Sequence, residues 1–500
     1  MLKLHNTLTR TKEEFKPIHK GKVGFYTCGP TVYDYIHIGN IKSYMTADTL
    51  RRYLSYLGYE VKHIKNITDV GHLTEDDIAQ GDSGEDKLEK KALTEKKSPA
   101  EVARFYENYF REAEQAINIL PAHFFPRATA HIPQMIKIIT GLIEKGFAYE
   151  KNGNVFFSVR KFSDYGKLSG NTLEKLKVGA RLEEHPDKKD PWDFALWLRA
   201  PKEHLMKFNS PWSIGYPGWH IECSAMSSEY LGDTFDIHTG GEDNIFPHHE
   251  AEIAQSECFS GKKFVNYWLH TRLLLIDGVK MSKSKGNFYR LDDILKKGYD
   301  AMALRILILS SHYRSQMNFT WDSMDQAKSN FQKITAWVSN LQNIATDAPD
   351  KEPEISFTHI YRKRFEEAMD DDLNTPLALS VVYDLITETN KLLSEDKLSP
   401  TTAKEILTFW DKINKVFGLI ISTYTLKAKK AHFKLTGGDV NFSINKNEEL
   451  PEEITKLAQK RIEAKLSKDF VMADKLRKEI ESLGYSMEDL KDNNYLIKKQ

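Results

Sequence analysis

VGFYTCGPTVYDYIHIGNIKSYMTADTLRRYLSYLGYEVKHIKNIT, residues 23–68, is the stretch whose reading decides the fold. VGFYTC (23–28) is a short apolar run that reads as a buried strand, and the GPTVYDY that follows is a turn-rich loop. From about Ile41 to Leu57, the positions Tyr44, Ala47, Leu50, Leu54 and Leu57 keep helical spacing, and Gly58 ends the helix. EVKHIKNIT (60–68) alternates like a strand. Strand, helix and strand in so short a span make a βαβ unit, which implies a parallel sheet. Ligands in such sheets sit at the carboxyl ends of the strands, where Cys28, His37 and Thr68 all fall.

Outward from this unit the texture changes several times. Residues 71–100 are densely charged and predict a mobile surface segment. A mostly polar stretch from 122 to 215, with clusters such as YGKLSG and EEHPDKKDPWDF, reads as an insertion between two halves of the parallel sheet. DTFDIHTGG (233–241) and LHTRLLLIDG (269–278) are strand-like and resume the α/β pattern. After Asp300 the pattern turns helical, with Phe331, Ile334, Trp337, Val338, Leu341 and Ile344 on one stripe. GGDVNFSINKN (437–447) reads as a linker. Two short amphipathic helices follow, one carrying Ile454, Leu457, Ala458, Ile462 and Leu466, the other Met472, Ala473, Leu476, Ile480 and Leu483. The expected organisation is a Rossmann-like α/β core with an inserted connective domain, then an all-α helical bundle and a small C-terminal segment. Its boundaries are 1–121, 122–215, 216–300, 301–436 and 437–500.

Bulk composition limits the function. The chain has 71 basic and 71 acidic residues, so a nucleic-acid partner would have to be met by local patches such as KAKKAHFK (427–434) and LIKKQ (496–500) rather than by a global field. Three cysteines, Cys28, Cys223 and Cys258, cannot build a disulfide framework in 500 residues. The polar, mixed-charge start MLKLHNTLTRTKEEF has no signal-peptide core, and no apolar run approaches the ~20 residues of a membrane span. These features predict a cytoplasmic protein.

Two motifs point to a triphosphate. His37-Ile38-Gly39-Asn40 opens a helix that follows a parallel strand, and a helix N-terminus offers free N–H groups and a positive dipole end to a phosphate. Gly39 permits close backbone approach. Lys280-Met281-Ser282-Lys283-Ser284-Lys285-Gly286-Asn287 is a basic loop suited to closing on a triphosphate as pyrophosphate departs. Neither a G-x-x-x-x-G-K-[ST] loop nor a G-x-G-x-x-G fingerprint is present, which argues against a P-loop NTPase or a nicotinamide enzyme. Cys28, Cys223, His248 and Glu252 form a plausible zinc set. Only the last two have informative spacing, four apart on a helix beginning near Pro247. His249 competes with His248, and Glu250 with Glu252.

The paired motifs resemble those of class I aminoacyl-tRNA synthetases, with Asn40 where most members carry a second histidine. FYTCGPTVYDYIHIGN, NITDV, PGWHIECSAM, DIHTGGEDNIFPHHEAEIAQSE, KMSKSKGN and DDDLNTPLAL together resemble the cysteinyl-tRNA synthetase family, over about residues 20–490. Two further departures are Gly71-His72 in place of an acidic pair and His270-Thr271-Arg272 without the usual glycine. The resemblance implies ATP-dependent activation of cysteine and its transfer to tRNA(Cys), by a monomer holding one zinc and using ATP with magnesium. It implies Cys28, Cys223, His248 and Glu252 as zinc ligands and Thr68, Trp219 and His238 as the cysteine pocket. It places His37, Gly39, Asn40, Asp243 and Lys283 on ATP, with Lys280 beside Lys283 in the catalytic loop. The helical half and the C-terminal segment would meet the tRNA and its anticodon. The rivals are an enzyme of the same fold that couples cysteine to an amino-sugar, and a catalytically silent zinc-containing RNA-binding relative. Cysteine-dependent ATP–pyrophosphate exchange and tRNA charging separate the three.

Overall fold

The structure, a computed structural model, describes the chain apart from residues 71–72, 76–82, 172–184, 283–285, 349–355, 421–430, 436–437, 445–451, 467–468, 490–493 and 500. The elements that build the site are β1 (Lys22–Thr27), α1 (Ile38–Tyr56), β2 (Glu60–Lys65), α2 (Trp219–Leu231), β3 (Phe235–Gly241), α3 (Glu250–Ser260) and β4 (Val265–Thr271). The four strands pair in parallel in the order β4-β3-β1-β2. β3 is buried along almost its whole length, as a strand covered on both faces must be. The chain moves outward from β1 to β2 in one direction and from β3 to β4 in the other. The boundary between β1 and β3 is therefore the topological switch point, where such sheets hold their ligands.

The strand that ends in LHTRLLLIDG divides in two. β4 closes at Thr271, and Leu274–Ile276 (β5) joins a second sheet with Val279–Lys280 (β6) and Met317–Phe319 (β7), ordered β6-β5-β7. Between the halves of the main sheet, the helix Ile132–Glu144 leads to five antiparallel strands between Ala148 and Pro217. The polar reading of 122–215 hid this sheet because its apolar residues come in short bursts. Phe156, Phe157, Phe194, Leu196 and Trp197 are all fully buried.

Part of the segment 71–100, expected to be a mobile surface segment, is helical: Lys87–Glu95 is a helix capped by Asp86, whose carboxylate accepts from the N–H groups of Leu88 and Glu89, while 71–72 and 76–82 lie outside the described residues. The next helix, Pro99–Ala116, opens with Ser98 and Glu101 in reciprocal capping bonds and Pro99 in the first turn. The sequence SPAE carries that signal, outvoted by the surrounding charge.

The helical half contributes, among the described residues, Ala301–Leu309, Trp321–Ala345, His359–Asp370, Thr375–Ser394 and Pro400–Phe417. The stripe at Ile334, Trp337, Val338 and Leu341 is buried as the 3.6-residue period requires. These elements belong to one compact unit, Met1–Leu419, and Ile420–Gln500 forms another. In that second unit the helices Glu452–Leu466 and Phe470–Ser482 pack through Ile454, Ala458, Ile462 and Ile480. The stretch read as a linker instead contributes a strand, Gly438–Ile444, to a four-stranded sheet. Val440, Phe442 and Ile444 alternate at the strand period, a signal concealed by their glycine and asparagine neighbours.

Candidate active site and metal centre

The site is built from the carboxyl ends of β1 and β3. Thr27, the last residue of β1, bonds through its hydroxyl to Thr239 on one side (3.0 Å) and His63 on the other (2.9 Å), locking three strand ends together. Cys28 donates its backbone N–H to the Thr239 carbonyl at 3.1 Å. At Gly29 a Cβ would lie 1.7 Å from the Asn66 carbonyl oxygen, so only glycine passes there. Its N–H donates to the Asn66 side chain at 2.7 Å, and this turn presents the Cys28 sulfur to α2 and α3.

Four potential metal donors converge at that point. Sγ of Cys28 lies 3.9 Å from Sγ of Cys223 and 3.8 Å from Glu252 Oε1, and His248 Nε2 lies 3.1 Å from the same carboxylate oxygen. The four ligand atoms fall within 4.8 Å of one another. Two thiolates on a tetrahedral zinc with Zn–S bonds of about 2.3 Å stand about 3.8 Å apart, so the spacing fits that metal. A second overlapping group, Cys28, His238, His249 and Glu252, meets the same distance limit, with His249 Nε2 3.2 Å from the Cys28 sulfur. The competition between His248 and His249 thus persists in three dimensions. That between Glu250 and Glu252 does not, because Glu250 accepts from the N–H groups of Leu168 and Ser169. Burial, the Cys223 thiol and Glu252 push the Cys28 thiol well above its ordinary range. Burial likewise raises the Glu252 carboxyl and, with the neighbouring imidazoles, holds His249 far below its usual value.

Behind the donors stand further histidines: His220, which the sequence reading did not single out, and His270, which it noted only as part of a departure from the family pattern. His220 Nδ1 meets His248 Nδ1 at 2.9 Å, which aims His248 Nε2 at Glu252. His249 Nδ1 meets His270 Nε2 at 2.7 Å, and His270 Nδ1 meets the Thr7 hydroxyl at 2.8 Å. No spacing could have revealed partners this far apart in the chain.

A cleft of 440 Å³ reaches the donor cluster at Cys28, and His37, Gly39, Asn40, Trp219, Asp243 and Lys280 also line it, whereas Cys223, His248 and Glu252 are buried behind it. The Trp219 ring lies 4.4 Å, centroid to centroid, from that of His248. Thr68 and His238 are buried and are not among the lining residues; His238 Nε2 is held by Glu252 at 3.0 Å. His37 caps α1: its N–H donates to the Asn40 side-chain oxygen (3.0 Å), and Asn40 N–H donates back to His37 Nδ1 (3.2 Å). A Cβ on Gly39 would press into the His37 ring at 2.9 Å. Lys280 closes the cleft from β6, and Ser282 N–H donates to the Asn287 side chain at 2.8 Å. Lys283 lies outside the described residues, as do Gly71 and His72. Cys258 stands apart in the core, where burial pushes its thiol up to about 12.

A parallel sheet with its helix-start histidine and lysine-bearing arm at the switch point defines a class I aminoacyl-tRNA synthetase core. A family model described as "tRNA synthetases class I (C) catalytic domain" matches residues 14–329, and a DALR domain model matches 364–421. The solved structure of Mycobacterium tuberculosis methionyl-tRNA synthetase in complex with methionyl-adenylate is similar in fold. Its TM-score is 0.56 over 81% of this chain and 92% of that one, at 14% identity. The curated cysteine–tRNA ligase of Chlorobaculum tepidum is 41% identical over 505 residues, covering 100% of this chain and 99% of the relative. That of Thermus thermophilus is 41% identical, covering 98% of each. The chain belongs to the cysteine–tRNA ligase family, and it is an enzyme of the aminoacyl-tRNA ligase class.

Proposed function

We propose that this chain activates L-cysteine with ATP and transfers it to the 3′ end of tRNA(Cys). The cysteine carboxylate attacks the α-phosphate of ATP, giving cysteinyl-adenylate and pyrophosphate, and the terminal ribose hydroxyl of the tRNA then attacks the adenylate's carbonyl carbon, taking the aminoacyl group and releasing AMP. The observation that carries the reading is a cluster of two thiols, an imidazole and a carboxylate that reaches, through Cys28, a cleft also lined by His37, Asn40 and Lys280.

The roles follow from position. Because His37 Nδ1 accepts from Asn40 N–H, the neutral ring carries its proton on Nε2, as a donor for a phosphate oxygen. Gly39 and the start of α1 offer the backbone side of that contact, Asp243 meets the ribose, and Lys280 and Lys283 stabilise the departing pyrophosphate with magnesium. Trp219 walls the cysteine pocket, and Thr68 and His238 support it from behind. No side chain need act as a covalent nucleophile; catalysis rests on positioning and electrostatics. Cys28, Cys223, His248 and Glu252 would hold a zinc ion, which supplies a thiolate-selective Lewis acid that a serine hydroxyl cannot satisfy. The helical half and the C-terminal unit would carry the tRNA and its anticodon end. Among the described residues no helix is long and apolar enough to cross a membrane, which suits a cytoplasmic enzyme. We read it as a monomer.

Cysteine-dependent ATP–pyrophosphate exchange followed by charging of tRNA(Cys) tests the proposal. Exchange without charging would move the acceptor away from tRNA, and absence of both would overturn it.

A further inference from the structure

Lys42 sits on α1 one turn beyond the His37 cap and is 1% exposed. Its ammonium donates to two backbone carbonyls, Arg272 at 2.7 Å and Ser315 at 3.0 Å. Burial pulls its pKa down to about 8, leaving it mostly charged at neutral pH. A buried cation is costly unless something specific is gained. A methionine would fill similar space without that cost, so the gain lies in what the two carbonyls hold.

Those carbonyls belong to the segments through which the chain approaches the small sheet. Arg272 lies between β4 and β5, and Ser315 leads into β7, which pairs with β5 in parallel. Arg272 N–H also donates to the Tyr313 carbonyl at 2.9 Å, tying the two segments to each other. β5 in turn pairs with β6, which ends in Lys280 on the rim of the cleft. At the other side of the arm, the Ile38 N–H at the start of α1 donates to the Tyr289 carbonyl at 3.0 Å, and the Phe288 ring meets His37 edge-on at 5.1 Å. One helix thus holds the chain both before β5 and after Phe288.

We propose that Lys42 is a positioning residue for adenylate formation: it sets the arm bearing Lys280 at a fixed height over the helix bearing His37. The inference rests on reading the cleft as the ATP site. It assigns Lys42 a purpose beyond satisfying those two carbonyls and without contact with substrate. A displacement of about 1 Å in a reacting geometry costs on the order of 100-fold, which sets the scale of the effect.

The test compares full-length wild type with Lys42→Met and Thr46→Val. Thr46 lies one turn further along α1 and is also buried, so its variant serves as the control for a merely structural defect. Exchange is measured with ATP and cysteine varied in turn, alongside equilibrium ATP binding, metal content and thermal stability. Lys42→Met is expected to lower kcat/KM for ATP about 10- to 100-fold, with KM for cysteine and metal content within about twofold of wild type. Thr46→Val should leave both Michaelis constants unchanged whatever its Tm. A kcat/KM for ATP within about twofold of wild type, a KM for cysteine that rises in step with that for ATP, or kinetics matching Thr46→Val, would overturn the proposal. If Lys42→Met does not fold, Lys42→Gln, which keeps two N–H donors, takes the same measurements. A wild type without cysteine-dependent exchange whose ATP binding still weakens in Lys42→Met would strike the amino-acid assignment and leave the role of Lys42 standing.

Discussion

Two buried polar clusters lie in the same unit and obey opposite rules. In one, Asp48 and Arg52 of α1 meet Arg305. The Asp48 carboxylate accepts from both guanidinium groups and from Leu120 N–H. The remaining Arg305 donors go to the carbonyls of Phe417, Ile117 and Asn118, and those of Arg52 to Lys415 and Asn118. Donors alternate with acceptors, so the cluster is complete as it stands. In the other, two sulfurs, an imidazole nitrogen and a carboxylate oxygen converge within 4.8 Å. Lone pairs there face lone pairs, and only protons or a cation can reconcile them. The first cluster is a staple joining α1 to the helical half. The second is shaped for a ligand.

The staple offers the largest effect. Arg305→Met leaves Asp48 buried with half its charge compensation, and breaking a buried pair from one side costs about 3–5 kcal/mol. Urea unfolding should show that loss, while KM for cysteine in the folded variant stays near wild type. Burial would raise the Asp48 pKa, but Arg305 and Arg52 outweigh it and hold it below the usual carboxylate value. The linked stability is therefore present above about pH 4 and lost as pH falls through the lower folded value. Arg305→Met should flatten stability across that acid range. A variant as stable as wild type would show that the two clusters do not differ in the way their geometry implies.

The metal cluster should behave in reverse. Cys28→Ser is expected to lower zinc content and to slow cysteine activation at least about 100-fold, or about 2.7 kcal/mol, with a smaller change in stability. Cys258→Ala, a core thiol outside both clusters, should leave metal content unchanged. Metal analysis beside exchange kinetics checks both. Full activation in a metal-free Cys28→Ser protein would end the zinc reading.

These clusters were not equally legible in the sequence. The βαβ unit was readable because its periods are local, with strand, helix and strand each set by neighbours a few positions apart. Of the donor set, spacing offered only His248 and Glu252. Bringing Cys28 and Cys223 to them rested on resemblance, since 195 residues separate the two thiols. Asp48 and Arg305, 257 positions apart, carry no motif, and nothing about Lys42 in HIGNIK distinguishes it from a solvent-facing lysine. The antiparallel sheet before α2 and the strand Gly438–Ile444 were obscured for a different reason. Their apolar residues are few and set among polar ones, so average composition outweighed a period of two.

The smallest effect comes from α1 itself, where one uncharged residue stands between the two kinds of cluster. Asn40 uses its side-chain oxygen to accept from His37 N–H and its own N–H to hold His37 Nδ1. It is thus satisfied like a staple while lying on the cleft like a ligand-site residue. The two substitutions Asn40→Ala and Asn40→Asp separate these properties. Alanine removes the oxygen, so the cap weakens by about 0.5–2 kcal/mol and the His37 ring loses part of its orientation. Both Tm and kcat/KM for ATP should fall modestly. Aspartate keeps an oxygen acceptor and adds a negative charge that the helix N-terminus favours, so Tm should hold or rise. That same charge faces the incoming triphosphate, so KM for ATP should rise although the fold is no weaker. Opposite movement of Tm and ATP affinity in the aspartate variant would show that the start of α1 serves a phosphate. If both rise or fall together in the two variants, Asn40 is only a cap, and the boundary between structural and ligand-bearing polar groups lies further down the cleft.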